Sequence, residues 1–584
     1  MRQQLPHQFW IVVAGAVIFF TTLGATGLWD EDEPLYASCA REMLERGDWV
    51  VPWFNGQMFP DKPPLMFWTM MSGFGLFGVN ELGARFWSAV FGVATALATY
   101  HLGRRLFRAE VGLWGGLIVS SSIIFTVSAR AATVDSALTL ATTMAILFFV
   151  LGRTWIAFAL MYASMGVAVL AKGPVGLLLP AATIGLFLLI INDLQAADGS
   201  EPATSSGRWI SRLIRVARPF APRNFFRSAW QMRPLTGIAV VAAVALPWYV
   251  LVGLRTDGVW LEQFFAKYNL RPFMQPILGH HGPVWYYVPA ILIGFFPWSV
   301  FAVPTSIDLV RRLRGRDAWR TGTILLLCWL GVFFVFWSIC STKLPHYILP
   351  AYPALALLTA CFVDGWITGQ TPVSRAWLRA ALGITILVGI GFISVFPVVA
   401  SVFAPGEGWL GLVGLILVVG GGLSLYCSEC SRPRHAAAVF AVTSVVFLTA
   451  IFGLAALRVD RHQYAKALVA QIRRAGPEQP ELASYRFTRE SVIFYARQPV
   501  PCLDDVEELR RYLDGSKAPC ILTTDEHQGE IERCFPDEFY VLDRRPRFLR
   551  SGEMVVLVRR TATNLRSVPD GPRTAGRAPG GNRQ

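Results

Sequence analysis

Four consecutive acidic side chains, residues 30–33, directly follow the apolar run 9–29. Carboxylates crowded at a low-dielectric boundary repel one another, so keeping one of them ionised requires a nearby cation or a bound ligand. Structural uses are also open, because the acids could help to orient the chain, cap the next helix, or pair with Arg41 and Arg46. A chemical use is equally open, because a carboxylate here could handle a hydroxyl proton.

Candidate cations lie on the same predicted side of the membrane. Lys62 stands between Asp61 and two prolines, and the prolines stiffen the backbone that aims its ammonium group. The chain has only six lysines, and four of them fall in short outer segments or at outer helix ends: Lys62, Lys172, Lys267 and Lys343. Any one of them could be a snorkelling anchor, but four together indicate an anionic ligand, since Lys is a compact phosphate binder.

Further polar residues mark the mouths of other apolar runs. Asp135 begins one of them, where it could cap a helix or face the interior of a bundle. Lys343, His346 and Tyr347 follow one another in "STKLPHY". An outer loop adds further candidates: Asn269, Arg271, His280 and His281. Its three aromatic residues are either an interfacial belt or part of a site: Trp285, Tyr286 and Tyr287.

Carboxylates, cations and aromatic rings are thus predicted on one face of a helical bundle. Cations can hold a phosphate, rings can stack on a sugar, and a carboxylate can take a hydroxyl proton. This combination suits a lipid that carries a phosphate and a sugar.

The elements that position these residues are apolar helices. The chain is 54% hydrophobic and 16% charged over 584 residues, which indicates an integral membrane protein. Apolar runs long enough to cross about 30 Å of hydrocarbon predict thirteen spans. They are 9–29, 81–102, 111–128, 134–151, 154–171, 174–192, 236–253, 285–304, 322–340, 346–363, 378–400, 409–426 and 436–456.

The basic residues predict the orientation of these spans. Seven Arg in loop 193–235, five in 305–321 and three in 103–110 fall on one side if the N-terminus is cytoplasmic. Loop 30–80 and everything after about residue 457 then lie outside. The net charge of +14 reflects this topology, and no nucleic-acid partner is expected.

The domain organisation follows from a change of composition near residue 457. We predict a membrane domain over 1–456, an α/β domain over 457–560 and a disordered tail over 561–584. In the α/β domain, "HQYAKALVAQIRRAG" has helical periodicity, and "SVIFYA", "PCILTTD", "EFYVLDRR" and "EMVVLVRR" are β-rich runs. Two of its three cysteines could form a disulfide: Cys502, Cys520 and Cys534.

Loop 30–80 is expected to hold two short helices. Pro34 suits the first turn of a helix capped by Asp32, which would lie on the membrane surface. The apolar segment that follows "DKPP" is too short to span the bilayer.

Several motifs in a fixed order resemble the bacterial branch of the dolichyl-phosphate-mannose protein mannosyltransferase superfamily. They are "LWDEDEPLYA..REM", "DKPPL", Asp135, "AKGP", "LPWY", "GPVWYY", "FFPW" and "KLPHYILPAYP". The chain looks most like the 4-amino-4-deoxy-L-arabinose lipid A transferase group. The resemblance covers the whole membrane domain and implies a GT-C fold of thirteen spans, surface helices in the first outer loop and a C-terminal periplasmic α/β domain.

The resemblance also implies roles for residues of this chain. Asp32 and Asp135 look like catalytic carboxylates. The candidates for binding the donor phosphate are Lys62, Arg271, Lys343 and Tyr347. The candidates for binding the sugar or the acceptor are Glu33, Tyr36, Asp61 and His346.

The chain departs from the arabinose transferases at two places. Leu35 stands where they commonly have Arg, and "NLRPF" displaces the Arg of their N-x-x-R-F pattern, which involves Arg271. These departures leave the sugar and the acceptor open. Some relatives hold a metal in their outer loops, so a divalent metal is a candidate cofactor with His280 and His281 as its ligands; otherwise no cofactor is specified.

The predicted function is transfer of a sugar, with inversion, from an undecaprenyl-phosphate type of carrier at the periplasmic face of the bacterial inner membrane. The acceptor is lipid A, another envelope glycan or a protein. A flippase for the same lipid-linked sugar is the alternative, although its charges should continue through the bilayer midplane. A third hypothesis is a non-enzymatic membrane anchor, but this hypothesis does not explain the motifs in the outer loops.

Overall fold

The computed structural model describes residues 4–152, 154–197, 218–275, 281–315, 318–371, 374–475 and 480–560. The chain divides into two compact units, Met1–Arg461 and His462–Gln584. The predicted tail 561–584 lies outside the described residues.

The described residues of the first unit are helical apart from turns, loops and one small hairpin. Its first nine helices are α1 (Gln4–Phe20), α2 (Asp32–Arg46), α3 (Leu65–Phe77), α4 (Glu81–Leu106), α5 (Ala109–Ser120), α6 (Ile123–Arg130), α7 (Asp135–Leu151), α8 (Trp155–Lys172) and α9 (Val175–Ala197). The hairpin pairs β1 (Trp53–Phe54) with β2 (Gln57–Met58) in antiparallel register.

Helices of the second half follow a short turn at Arg218–Phe220. They are α10 (Pro222–Gln231), α11 (Pro234–Arg255), α12 (Val259–Glu262), α13 (Arg271–Met274), α14 (Tyr287–Gly294), α15 (Ala302–Arg314), α16 (Arg320–Ile339), α17 (Tyr352–Thr368), α18 (Arg375–Phe403), α19 (Gly414–Glu429), α20 (Pro433–Thr449) and α21 (Ala456–Val459). Two π-helical segments and several 3-10 turns connect them: Gln263–Leu270, Val284–Tyr286, Trp298–Phe301, Pro345–Ala351, Gly408–Val413, Ala450–Ala455 and Asp460–His462.

Nine helical stretches of the described residues are long and apolar enough to cross a membrane, or eleven if each of two bent pairs counts as one span. Eleven of the thirteen predicted spans are thus supported by helix length and composition when the bent pairs are counted, and the other two contain shorter apolar helices. Runs 111–128 and 285–304 are bent by 67° and 113°. Runs 9–29 and 134–151 overlap helices of 17 residues, which are about 25 Å long.

The bends have local causes. Between α5 and α6, the hydroxyls of Ser120 and Ser121 donate to the carbonyls of Gly116 and Leu117, which competes with the helical ladder. The second bend contains Pro297, which lacks an N–H. Polar side chains and proline inside apolar runs escape a prediction based on hydropathy.

The bundle packs through small residues as well as large ones. At the crossing of α4 and α5, a Cβ added at Gly103 would lie 2.8 Å from the Cα of Gly112. Such close backbone approach is typical of helices in membranes, where association depends on van der Waals contact.

The C-terminal unit is a small α/β domain, as predicted. Its helices are α22 (Ala465–Ala475), α23 (Glu490–Ala496), α24 (Val506–Gly515) and α25 (Asp525–Cys534), and its strands are β3 (Glu481–Tyr485), β4 (Cys502–Leu503), β5 (Pro519–Thr524), β6 (Phe539–Pro546) and β7 (Glu553–Arg559). The sheet order is β4-β3-β5-β7-β6, with β4, β3 and β5 parallel and β7 antiparallel to β5 and β6.

One strand prediction in this unit is wrong. "SVIFYA" forms most of helix α23, and the strand beside it is "ELASY" at β3. A short apolar run buried on all sides has no periodicity that separates a strand from a helix. Cys502, Cys520 and Cys534 are all free thiols in the structure.

Candidate active site

The first outer loop places a carboxylate, a tyrosine and a lysine together. Helix α2 begins at Asp32, with Glu31 at its N-cap, so Asp32 and Tyr36 are one turn apart on the same face. The Nζ of Lys62 lies 2.8 Å from Oδ2 of Asp61 and 5.9 Å from the centroid of the Tyr36 ring. This geometry brings together four of the residues that the sequence selected.

Three indole groups fix the backbone before Lys62. The Nε1 of Trp68 donates to the carbonyl of Trp49 at 2.8 Å. The Nε1 of Trp248 donates to the carbonyl of Val50 at 3.0 Å, and that of Trp260 to the carbonyl of Phe59 at 3.2 Å. Because α3, α11 and α12 each hold this segment, the Lys62 side chain extends from an ordered backbone.

The second carboxylate, Asp135, is paired with a lysine from another helix. Its Oδ1 lies 2.8 Å from Nζ of Lys172, and its Oδ2 lies 3.8 Å from Nε2 of His346. Lys172 also lies 4.7 Å from the ring centroid of Tyr347. Asp135 is therefore part of an ionic cluster, and no side-chain cap is formed at the start of α7.

The glycine of "AKGP" is required where Lys172 ends α8. Gly173 has φ +77°, and a Cβ added there would lie 2.7 Å from the ring of Phe264. A side chain at this position would have to adopt a left-handed backbone and displace an aromatic ring. Gly173 therefore keeps the lysine at the helix end, where its charge also suits the helix dipole.

Asp32 is an exposed residue, although protein atoms surround much of its carboxyl group. Desolvation by the surrounding protein raises the pKa of Asp32 above its ordinary value, and the negative charges of Asp135 and Asp61 raise it further. The positive charge of Lys62 opposes this rise. Asp32 thus shares one electrostatic environment with the lysine and with the two other carboxylates.

A cavity of about 100 Å³ lies among these groups. Two lysines, one carboxylate, one amide and several aromatic rings contribute to its wall. The residues that line it are Asp61, Lys62, Lys172, Val175, Phe264, Tyr268, Asn269, Phe336, Trp337, Cys340, Thr342 and Tyr347. Such a wall can hold a small anionic group between two ammonium groups and place aromatic faces beside it.

Glu33 does not face this cavity. Its carboxylate is buried and accepts hydrogen bonds from Nε and Nη2 of Arg85 at 2.8 and 2.5 Å. It also accepts from the backbone N–H groups of Trp29 and Ala132, at 2.8 and 2.7 Å. With both oxygens occupied in this way, Glu33 is better described as a positioning residue than as a contact to a sugar or an acceptor.

Two predicted phosphate ligands also lie elsewhere. Lys343 is buried, and its ammonium group donates to the carbonyls of Ser338 and Cys340 at 2.8 and 2.7 Å, at the end of α16. Arg271 begins α13 with an exposed side chain and is not among the residues that line the cavity. The structure thus gives neither residue the position that the motifs implied.

The part of the chain that the structure describes has no cluster of metal ligands. Among the described residues, no group of three or more His, Cys, Asp or Glu side chains could hold a metal ion. His281 is described and His280 lies outside the described residues. Within the described ranges, the side chains therefore do not form a metal centre.

Two residues of the site were not selected from the sequence as site residues. Lys172 was noted only as an outer lysine, although its place in "AKGP" at a helix end was visible. Arg85 was missed, and a cation inside an apolar run is a feature that could have indicated it.

Comparisons with known proteins show which family the chain resembles. Residues 61–197 match the sequence profile of the family described as dolichyl-phosphate-mannose-protein mannosyltransferase. A protein of Pectobacterium carotovorum named undecaprenyl phosphate-alpha-4-amino-4-deoxy-L-arabinose arabinosyl transferase is 28% identical over 430 residues, 70% of this chain and 69% of the relative. An uncharacterized Aquifex aeolicus protein is 28% identical over 362 residues, 61% of this chain but only 63% of the relative's length. The resemblance predicted from the motifs is confirmed.

A solved structure shares the fold. The crystal structure of ArnT from Cupriavidus metallidurans bound to undecaprenyl phosphate superposes with a TM-score of 0.74 at 22% identity, over 94% of this chain and 97% of that one. The mainly helical membrane protein of the GT-C type, with a small C-terminal sheet, is thereby confirmed.

Proposed function

We propose that this protein is an integral membrane glycosyltransferase that moves a sugar from a polyprenyl-phosphate donor to an acceptor of the cell envelope. The observation that carries the proposal is the cavity in which Lys62 and Lys172 face Asp61 and Tyr347, with Asp32 and Asp135 beside them. The similarity to a transferase named for an undecaprenyl-phosphate-linked sugar supports the same class of donor.

The donor phosphate binds between the two lysines in this proposal. Lys62 pairs with Asp61 and Lys172 pairs with Asp135, each at 2.8 Å. The arriving phosphate therefore competes with these carboxylates for hydrogen bonds from the ammonium groups. Ammonium groups have three donors and can contact carboxylate and phosphate together. Tyr347 lies under Lys172 and can donate its hydroxyl to the same anion.

The reaction exchanges one bond at the anomeric carbon for another. The bond from that carbon to the carrier phosphate breaks, and its electron pair leaves with the phosphate, where the lysines stabilise the charge. A bond forms between the anomeric carbon and an acceptor oxygen that attacks from the opposite side, which inverts the configuration.

Asp32 acts on the acceptor in this scheme. If the acceptor is a hydroxyl group, Asp32 takes its proton, and a carboxylate with a raised pKa is the better base. If the acceptor is itself a phosphate, no proton has to be removed, and Asp32 serves to position the acceptor. Asp135 orients Lys172, while Tyr36, Asp61 and His346 contact the sugar or the acceptor.

The name of the Pectobacterium relative makes 4-amino-4-deoxy-L-arabinose the first sugar to test. The transferase group that the motifs resemble makes lipid A the first acceptor to test. Leu35 and the shifted Arg271 keep other sugars, other glycans and proteins as candidate substrates. We also propose the inner membrane as the location, with thirteen crossings if the bent and short helices all traverse it, a cytoplasmic N-terminus and a periplasmic C-terminus.

The test incubates purified protein with a radiolabelled polyprenyl-phosphate sugar and envelope extract. Covalent transfer of the label to a component of the extract supports the enzyme. Movement of the lipid across proteoliposomes without transfer supports the flippase and contradicts the proposal.

A variant pair separates chemistry from folding. Asp32→Asn should abolish transfer while the protein still binds the carrier lipid. Asp48→Asn changes an acid of the same loop that pairs with Arg255, at 2.8 Å, and should leave transfer largely intact. Substantial turnover by Asp32→Asn would remove Asp32 from the mechanism.

A further inference from the structure

The short helix α10 presents an inverted distribution of polar and apolar side chains. Its large aromatic residues point outward, with exposed fractions of 52% for Phe225, 71% for Phe226 and 73% for Trp230. The face that packs on the protein is polar instead. A helix at a water interface shows the opposite arrangement.

The polar face of α10 docks on the end of α9. The side-chain amide of Asn192 donates to Oγ of Ser228 and to Oε1 of Gln231, both at 3.0 Å. The amide of Asn224 donates to the carbonyl of Leu189 at 3.0 Å. Because these bonds satisfy the inner face, the helix is fixed with its aromatic face turned away from the bundle.

Besides its aromatic face and its polar face, α10 has a row of two arginines. Arg223 and Arg227 are one turn apart and follow the row of Phe226 and Trp230 around the helix axis. Both side chains are exposed, and within the described part of the chain no ion pair is recorded for either guanidinium group. The helix therefore carries an apolar stripe beside a cationic stripe.

The position of α10 in the chain sets its depth in the membrane. It lies between α9 and α11, two helices apolar enough to span a bilayer, and only Met232 and Arg233 separate it from α11. The first turns of α11 continue the apolar surface, with Leu235 and Ile238 exposed. This places α10 at a boundary between hydrocarbon and head groups.

We propose that α10 binds anionic phospholipid at the membrane interface opposite the candidate active site. Phe225, Phe226 and Trp230 enter the acyl region, and Arg223 and Arg227 contact the phosphates of the head groups. The positive charge selects anionic over zwitterionic lipid, and the arginine-rich loop places the site in the cytoplasmic leaflet. The inference stands independently of the proposed sugar transfer.

The first experiment identifies what covers the aromatic face. Full-length protein carrying Phe226→p-benzoylphenylalanine is reconstituted in nanodiscs of phosphatidylcholine and phosphatidylglycerol and irradiated. Phospholipid adducts, located by mass spectrometry, are expected. Adducts to a second copy of the chain would overturn the proposal, as would adducts to another protein when native membranes are irradiated.

The second experiment tests selection by charge. In native mass spectrometry, Arg223→Gln with Arg227→Gln should weaken retention of phosphatidylglycerol about 10- to 30-fold. The corresponding double change to Lys should restore it, since the charge is kept. The control, Arg432→Gln with Arg434→Gln, removes two exposed arginines elsewhere on the predicted inner side.

Three outcomes of the second experiment overturn the proposal. They are unchanged retention in the Gln variant, equal loss in the control, and failure of the Lys variant to recover binding. Thermal unfolding in phosphatidylcholine alone should be the same for wild type and variants, which shows that each protein is folded. Sugar transfer by the Gln variant should persist, so failure of this inference and failure of the proposed function remain distinguishable.

Discussion

Glu33 and Arg85 form a buried ion pair that joins three separate parts of the chain. The Nη1 of Arg85 donates to the carbonyls of Leu23 and Thr26, and its Nη2 donates to the carbonyl of Gly27. Glu33 lies beside Asp32 in the first turn of α2 and accepts from the N–H of Ala132, three residues before Asp135. The pair therefore fixes the two candidate catalytic carboxylates relative to each other.

Glu33→Gln should destabilise the protein and slow transfer. Breaking one partner of a buried, hydrogen-bonded pair leaves the other charge uncompensated, which typically costs about 3–5 kcal/mol. Because the pair positions Asp32 and Asp135 without touching the substrate, kcat of the folded fraction should fall more than the KM for the donor rises. Thermal unfolding and steady-state kinetics measure the two effects.

The matched control is Asp364→Asn at the other end of the bundle. Asp364 is buried and its Oδ2 lies 2.5 Å from Nη2 of Arg108, which is partly exposed. This variant should also be destabilised, but by less than Glu33→Gln because water can solvate Arg108, and its folded fraction should keep a normal kcat. An equal loss of kcat in both variants would mean that the Glu33 pair has only a structural role.

As the pH is lowered, transfer should be lost at a higher pH than if Asp32 had the ordinary pKa of an aspartate. Burial raises the pKa of Asp32, so its ionised, active form is lost as the pH falls through that raised value. Asp61→Asn removes a negative charge that raises this pKa and should move the acidic limb of the kcat/KM profile to lower pH. Glu45→Gln, an exposed acid of the same helix, should leave the limb in place.

The motif-bearing outer segments were predictable because their residue types are unusual at the end of an apolar run. Lys62 lies close to Asp61 and to the ring of Tyr36. Lys172 contacts both Asp135 and the ring of Tyr347. Their order in the chain, with the hydropathy pattern, was sufficient to place them on one face. Which atoms they pair with depends on helix packing, and that information is not local.

The predictions that failed also depended on helix packing, which the local sequence does not encode. Glu33 and Arg85 are 52 residues apart, so no spacing rule connects them. Lys343 was predicted to bind phosphate together with its neighbour Tyr347 in "STKLPHY". The last carbonyl groups of α16 have no helical partners, however, and the ammonium group of Lys343 donates to two carbonyls there. Serines and a proline bent two runs whose hydropathy alone predicted straight spans.

Lys172 should be a determinant of donor binding. Lys172→Gln removes one of the two ammonium groups of the cavity and leaves Asp135 without its nearest cation. A hydrogen bond to a charged group is worth about 1.5–3 kcal/mol, so the KM for the polyprenyl-phosphate sugar should rise roughly 10- to 100-fold. Binding of the carrier phosphate alone, measured by calorimetry in detergent, should weaken by a similar factor.

Lys343→Gln is expected to behave differently, although the sequence assigned both lysines to the outer rim. The ammonium group of Lys343 caps carbonyls at the end of α16, so its loss should lower the melting temperature of the protein. The KM for the donor should change less than threefold, because backbone carbonyls hold the wild-type ammonium group and Lys343 is not among the residues that line the cavity. If this variant instead loses donor affinity as strongly as Lys172→Gln and keeps its melting temperature, Lys343 must turn towards the phosphate when the donor binds, as the sequence predicted.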